Sequence, residues 1–186
     1  MALTDRNTAL IVVDLQKGII GVPTVHPIGE VVSQARALAD AFRARGLPVV
    51  LVNVAGRAPG RTERGPRAGG TFTDGWTDFL SELDQQPGDL VVTKRTWGAF
   101  AGTDLDDRLK ALGVTQVVVT GVATSGGVEA TAREAYEQGY NVSLALDAMT
   151  DTSPEPHEYS TRHVFPRLGE TGTSREIVDL LPARNT

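Results

Sequence analysis

No cysteine occurs among the 186 residues of this chain. That excludes disulfides, thiolate metal sites and covalent catalysis through a thiol. Lysine is scarce as well: Lys17, Lys94 and Lys110 are the only three, so the basic complement is mostly arginine. Acidic residues outnumber basic ones and the formal net charge is −5, whereas a nucleic-acid partner calls for a basic face, so none is expected. No apolar run approaches the roughly 20 residues that span a bilayer. Residues 1–8 hold no basic region followed by an apolar stretch. Neither a membrane partner nor export is expected, and the expected location is the cytoplasm. Internal repeats and heptads are absent too.

What is present suits one core. With 40% hydrophobic and 22% charged residues, the chain is long enough to bury a sizeable interior and too short for two ordinary domains, so residues 1–186 read as a single domain. Short β-branched runs alternate with longer segments of helical period, the pattern of parallel βαβ units. Strands are expected at 9–13, 49–54, 90–93, 115–120 and 142–146, each nearly all apolar, as befits strands buried on both faces. Residues 28–45 carry Val31, Val32, Ala35, Leu38, Ala39 and Phe42 on one stripe, and Gly46-Leu-Pro48 stops that helix. Thr103 is a candidate cap for a helix over 104–112 that ends at Gly113. A further helix follows Thr124 with Val128, Ala132 and Ala135 inward, ending at Gly139. Ser153-Pro154 opens another, and Thr173 with Glu176 fits a capping box.

Residues 56–75 (GRAPGRTERGPRAGGTFTDG) break the regularity. Rich in Gly, Pro and Arg, this stretch reads either as a lid or as a mobile surface loop. It leaves the carboxyl end of a strand, the side on which open α/β sheets bind ligands.

The candidate chemistry also falls at strand ends. Asp14 directly follows the 9–13 run, Lys94 follows the 90–93 run, and the glycine-rich turn 121–127 follows the 115–120 run. Taken singly, Asp14 reads as a turn cap and Lys94 as a solvated lysine. Together with the glycine-rich helix start, they point to a site at one edge of the sheet.

The segments ALIVVDLQKG (9–18), VTKRTWGAF (92–100) and GVATSGGVE (121–129) resemble the three signature blocks of the isochorismatase-like hydrolases. DAMTD (147–151), with the following Ser-Pro and His157, resembles a later block. The resemblance runs in order over nearly the whole chain. It implies a Rossmann-like, three-layer α/β fold, with a six-stranded parallel sheet covered by helices on both faces. The implied site lies between the ends of the first, third and fourth strands. A cis peptide at Val122–Ala123 and a homo-oligomer, dimer or tetramer, are implied too.

Most members of that family use an Asp, Lys, Cys triad on small amides such as nicotinamide or carbamoyl compounds. Asp14 and Lys94 match the first two members, and Gly127 stands where the cysteine belongs. The isochorismatases proper are similar to this sequence in having glycine there. They protonate the methylene carbon of a vinyl ether, and water attacks the resulting cation, a route that needs a carboxylic acid and no nucleophile.

Burial would raise the pKa of Asp14 and a nearby Lys94 would lower it; the sequence leaves that balance open. The backbone amides of Ala123, Thr124, Gly126 and Gly127 would face the site from a helix N-terminus, suited to a carboxylate or developing oxyanion. Gly127 would let a ligand approach that backbone closely. Trp97 and Phe100 either wall the pocket or belong to the core, and Gln16 is a candidate polar wall contact. Ser125 reads as a nucleophile or, better, as a helix cap beside Thr124.

His26, His157 and His163 lack the spacing of a helical metal pair, and the Asp-His-His metal motif of some relatives has no match, so neither metal nor cofactor is expected. The first reading is a hydrolase of a small, anionic molecule, with Asp14 as general acid/base and Lys94 as its electrostatic partner; vinyl-ether cleavage fits it. The alternatives are a binding protein that has lost catalysis, and an amidohydrolase whose nucleophile has been replaced at Gly127.

Overall fold

The β-branched runs become strands because both of their faces are covered. In the computed structural model, which describes residues 5–63 and 72–183, six strands form one sheet: β1 (Thr8–Val13), β2 (Val49–Val54), β3 (Leu90–Lys94), β4 (Gln116–Val122), β5 (Asn141–Thr150) and β6 (Glu170–Gly172). Their order is β3-β2-β1-β4-β5-β6, and every pairing is parallel. The α-helices are α1 (Ile28–Ala44), α2 (Leu105–Ala111), α3 (Glu129–Glu137), α4 (Pro154–Tyr159) and α5 (Ser174–Leu180).

Alternation along β1 sorts the interior into two layers. Ala9, Ile11 and Val13 pack with Leu105 and Leu109 of α2 and with Ala132 and Ala135 of α3. Leu10 and Val12 pack on the other face with the α1 stripe and with Ile177 of α5. Helices on both faces of a parallel sheet give the expected three-layer α/β fold. No helix among the described residues is long and apolar enough to cross a membrane.

Several local expectations hold in detail. All six apolar residues named for α1 are buried, and Gly46 follows it at φ 71°. The Thr173–Glu176 capping box is complete in both directions. Thr103 is not the N-cap of α2: that position is Asp104, without a side-chain capping bond, and the Thr103 hydroxyl accepts from the Leu105 amide at 3.3 Å from one residue further out. Ser153 precedes α4 with Pro154 in its first turn, but its side chain makes no capping bond.

Two features differ. β6 has only three residues, none of them large and apolar, and it is a strand because Glu170, Thr171 and Gly172 pair with 143–145 of β5. β4 runs on past 120 through Gly121 and Val122. The β4–β5 register jumps there, from Val119 opposite Leu144 to Gly121 opposite Met149, so β5 bulges and reaches Thr150.

The chain fills the sheet outward from β1 through β2 to β3, then crosses back to place β4 on the other side of β1. The switch point therefore lies between β1 and β4, and the crevice at their carboxyl ends is where such sheets take ligands.

Candidate active site

Asp14 and the glycine-rich turn flank that crevice. Strict alternation would aim Asp14 at the α1 face with Leu10 and Val12. Its left-handed φ of 54° breaks the alternation and turns the carboxylate to the opposite side, where Lys94 reaches it. The Asp14 amide donates to the Val52 carbonyl at 2.8 Å, which holds the strand exit against β2. Lys94 leaves β3, two strands away, and its four-carbon stem spans the end of β2. Its Nζ lies 2.8 Å from Asp14 Oδ2 and donates to the Thr96 carbonyl at 3.1 Å. The pair is secluded: Lys94 is 2% and Asp14 6% exposed.

Burial pushes the Asp14 carboxyl up to about 6, with the Lys94 charge and hydrogen bond pulling the other way. Desolvation wins that contest, the balance the sequence left open. Asp14 Oδ1 is buried without a hydrogen-bond partner among the described residues. A carboxyl half-protonated near pH 6, with one oxygen on an ammonium and the other unengaged, is equipped to give or take a proton.

Gly127 faces this carboxyl. A methyl added there would stand 3.0 Å from Asp14 Oδ2, 3.1 Å from Val13 Cγ1 and 3.3 Å from the Val122 carbonyl. The bond between Val122 and Ala123 is cis, and a π-helical turn, Thr124–Val128, leads into α3. Gly126 interrupts it with φ −117° and ψ −106°.

Three of the turn's amides are committed within the fold. Ser125 N–H donates to Asp151 Oδ2 at 2.8 Å, and the N–H groups of Gly126 and Val128 donate to the Ala123 carbonyl at 3.0 and 3.2 Å. An anion at this turn is therefore left with fewer donors than a regular helix start offers, and Gly127 is the residue of the turn set against Asp14.

Other named residues fall elsewhere. Gln16 is fully buried as a brace. Its amide oxygen accepts from the Val54 amide at 2.7 Å, and its nitrogen donates to the carbonyls of Val54 and Trp76. Phe100 packs in the α2/α3 layer beside Tyr140, the core position given above as the alternative to a pocket wall. Trp97 is 71% exposed and encloses nothing within the single chain. Neither Thr124 nor Ser125 caps a helix through its side chain. Thr124 Oγ1 meets His157 Nδ1 at 2.9 Å, and the Ser125 hydroxyl donates to Asp151 Oδ2 at 2.7 Å. Of the 56–75 segment, residues 64–71 lie outside the described residues; the Phe72 ring packs on Trp76 at 4.3 Å.

The histidines pair differently from their sequence spacing. His157 sits with His26, 131 positions away, edge to face at 4.8 Å. Burial and His26 hold the His157 imidazolium below its ordinary pKa. Asp151 lies in the quoted DAMTD block, but nothing in the sequence announces that its carboxylate returns to Ser125. The signal that could have found it is topological: β5 lies next to β4, so their exits meet.

A parallel sheet covered by helices on both faces, with a carboxyl, a lysine and a glycine-bearing turn at its switch point, belongs to the three-layer α/β class. The chain belongs to the isochorismatase family, whose isochorismatase domain model matches residues 8–176. It is 41% identical over 180 residues to an uncharacterised isochorismatase family protein, YwoC, of Bacillus subtilis, covering 94% of each chain. An isochorismatase family protein from Burkholderia thailandensis superimposes with a TM-score of 0.91 at 40% identity, over 96% of this chain and 97% of that one. The ureidoacrylate amidohydrolase RutB of Stutzerimonas stutzeri is 30% identical over 184 residues, covering 83% of this chain and 74% of the relative.

Proposed function

We propose that this chain hydrolyses a small carboxylate-bearing molecule by proton transfer through Asp14, with no covalent intermediate on the protein. One observation carries the reading: a buried carboxyl raised to about 6 faces Gly127, where family members that attack amides hold a thiol. When Asp14 is protonated, the Lys94 ammonium is left without its counter-charge, so the acid form of the site carries a net positive charge. An anionic substrate compensates that charge and, by its own field, holds the proton on Asp14. Binding therefore loads the acid.

Vinyl-ether cleavage uses each of these parts. Protonated Asp14 gives its proton to the terminal methylene carbon, and the double-bond electrons form the new C–H bond. The adjacent carbon becomes an oxygen-stabilised cation beside the Asp14 carboxylate, which Lys94 again neutralises. Water adds to that carbon and its proton returns to Asp14. The hemiketal then breaks its ether C–O bond as its hydroxyl proton passes to the departing oxygen, releasing an alcohol and leaving a ketone.

The test compares pyruvate release from isochorismate, an enolpyruvyl ether, with ammonia release from ureidoacrylate and maleamate. Ether cleavage without amide cleavage is the expected outcome. Ammonia release by the unaltered chain would overturn the reading. So would Gly127→Cys creating an amidase from a parent inert on the ether, which favours the replaced-nucleophile alternative. Binding of isochorismate with no turnover by either form would favour the non-catalytic alternative.

The pH profile supplies a second check. An acid with a pKa near 6 makes kcat/KM fall as pH rises above that value, roughly tenfold per pH unit. Lys94 lowers the Asp14 pKa, so Lys94→Met is expected to move the falling limb to higher pH. A limb that stays in place or moves down would separate Asp14 from the titration.

A further inference from the structure

The turn that bears Gly127 is soft by composition. Gly126 and Gly127 bring no side chains to lock it, and its backbone leaves helical dihedrals at Gly126. The Ala123 carbonyl accepts from the Gly126 and Val128 amides inside the turn, and from outside its Ser125 end is held by Asp151 at the exit of β5. That residue is 4% exposed and engaged on three sides. Oδ2 accepts both the N–H and the hydroxyl of Ser125, at 2.8 and 2.7 Å. Oδ1 accepts the Thr152 N–H at 2.7 Å. The main-chain carbonyl accepts the Val25 N–H at 2.8 Å, tying the β1-exit loop to the same point.

Two donors from one residue on one carboxylate oxygen fix where the Ser125 peptide points. The Ser125 peptide sets where the two following glycines can go. We infer that Asp151 is a positioning residue: it holds the Ser125–Gly127 backbone in register with the Asp14 carboxyl while touching neither Asp14 nor the substrate.

The amide variant is informative. In Asp151→Asn the side chain keeps one oxygen, so it can still accept at one of its two contact points, but an NH2 must occupy the other. That NH2 faces either the Ser125 donors or the Thr152 N–H, and either arrangement sets donor against donor. Ser125→Ala is milder. It deletes the hydroxyl bond and leaves the N–H bond, so the peptide keeps one tether. Thr131, whose hydroxyl donates to the Gly127 carbonyl at 2.7 Å, holds the far end of the turn in every variant.

The inference rests on Asp14 being the group the turn serves, and its test does not depend on turnover. Amide spectra of the full chain are followed as pH is raised through the Asp14 titration. In the unaltered protein the Gly127 amide shift follows a midpoint near 6, and Asp14→Asn abolishes it, which assigns the midpoint to Asp14. Asp151→Asn is expected to reduce the amplitude at Gly127 at least about twofold while the Asp14 carboxyl carbon titrates as before. Ser125→Ala falls between, and decides the matter if Asp151→Asn does not fold.

Full amplitude at Gly127 in the folded variants overturns the proposal, whatever happens to their melting temperatures. On isochorismate, where the proposed reaction holds, kcat of Asp151→Asn falls by roughly 100-fold with KM changed little. Equal loss in kcat and folded fraction, with the amide titration intact, would assign Asp151 a structural role alone. Absence of any turnover in the parent with the amide titration lost in Asp151→Asn would defeat the ether reaction and leave the positioning role standing.

Discussion

Asp14→Asn is expected to lower kcat by about 10²- to 10⁴-fold, the contribution of a positioned general acid. The amide fills the same space and can still hydrogen-bond, but it has no acidic proton to give. Stability supplies an internal control, and its sign follows from linkage. Folding raises the Asp14 carboxyl from 3.8 to about 6. Between those values the folded chain holds a proton that the unfolded chain has released, so unfolding free energy falls as pH climbs through the window and is flat above it. The change is about 3 kcal/mol across the window, and Asp14→Asn should remove it.

At neutral pH the variant sheds the cost of a desolvated carboxylate but leaves Lys94, 2% exposed, without its counter-charge. Breaking a buried pair costs about 3–5 kcal/mol. The two effects oppose and are of similar size, so the variant should unfold within about 2 kcal/mol of the parent. Urea unfolding near the two ends of the window, alongside steady-state kinetics, separates loss of chemistry from loss of fold. Retention of more than about a tenth of kcat would remove Asp14 from proton transfer.

How far the sequence reading reached depended on whether each signal was local. The apolar runs at 49–54 and in β1 are legible because both faces of those strands are buried, and the capping box at Thr173 because cap and partner are three residues apart. β6 has no local signal, since its identity as a strand comes from pairing with β5 across 27 positions. Asp14 and Lys94 stood out as polar residues at strand exits, and topology brings those exits together.

The conformation that aims Asp14 did not stand out, because an aspartate at positive φ looks like any other in sequence. Trp97 and Gln16 show that nearness in sequence does not fix where a side chain goes. Both lie next to site residues in sequence, but Trp97 points to solvent and Gln16 is consumed by the backbone of β2 and of Trp76. His26 with His157, and Asp151 with Ser125, are contacts between separate strand exits, which a single chain cannot reveal by spacing.

The largest effect on folding is expected at Gly121, where the geometry of the site and that of the sheet coincide. Gly121 pairs with Val13, the residue before Asp14, at a φ of 116°. A methyl there would lie 2.0 Å from the Val13 carbonyl oxygen and 2.7 Å from its nitrogen. These are backbone atoms in a sheet and cannot turn aside as a side chain would. Gly121→Ala therefore combines a disfavoured backbone conformation with overpacking, about 3–5 kcal/mol together.

Gly46→Ala isolates the conformational part: Gly46 also has positive φ, 71°, but a methyl there meets nothing within 4 Å, so its cost is about 1–2 kcal/mol. The difference between the two variants in urea unfolding measures the clash with β1, and values that agree within about 1 kcal/mol would show that β1 yields freely at Val13. If β1 does not yield, whatever Gly121→Ala displaces is passed to the next residue, Asp14. The folded fraction of that variant should then lose activity on the order of 100-fold, while Gly46→Ala, at the far end of α1, keeps its own.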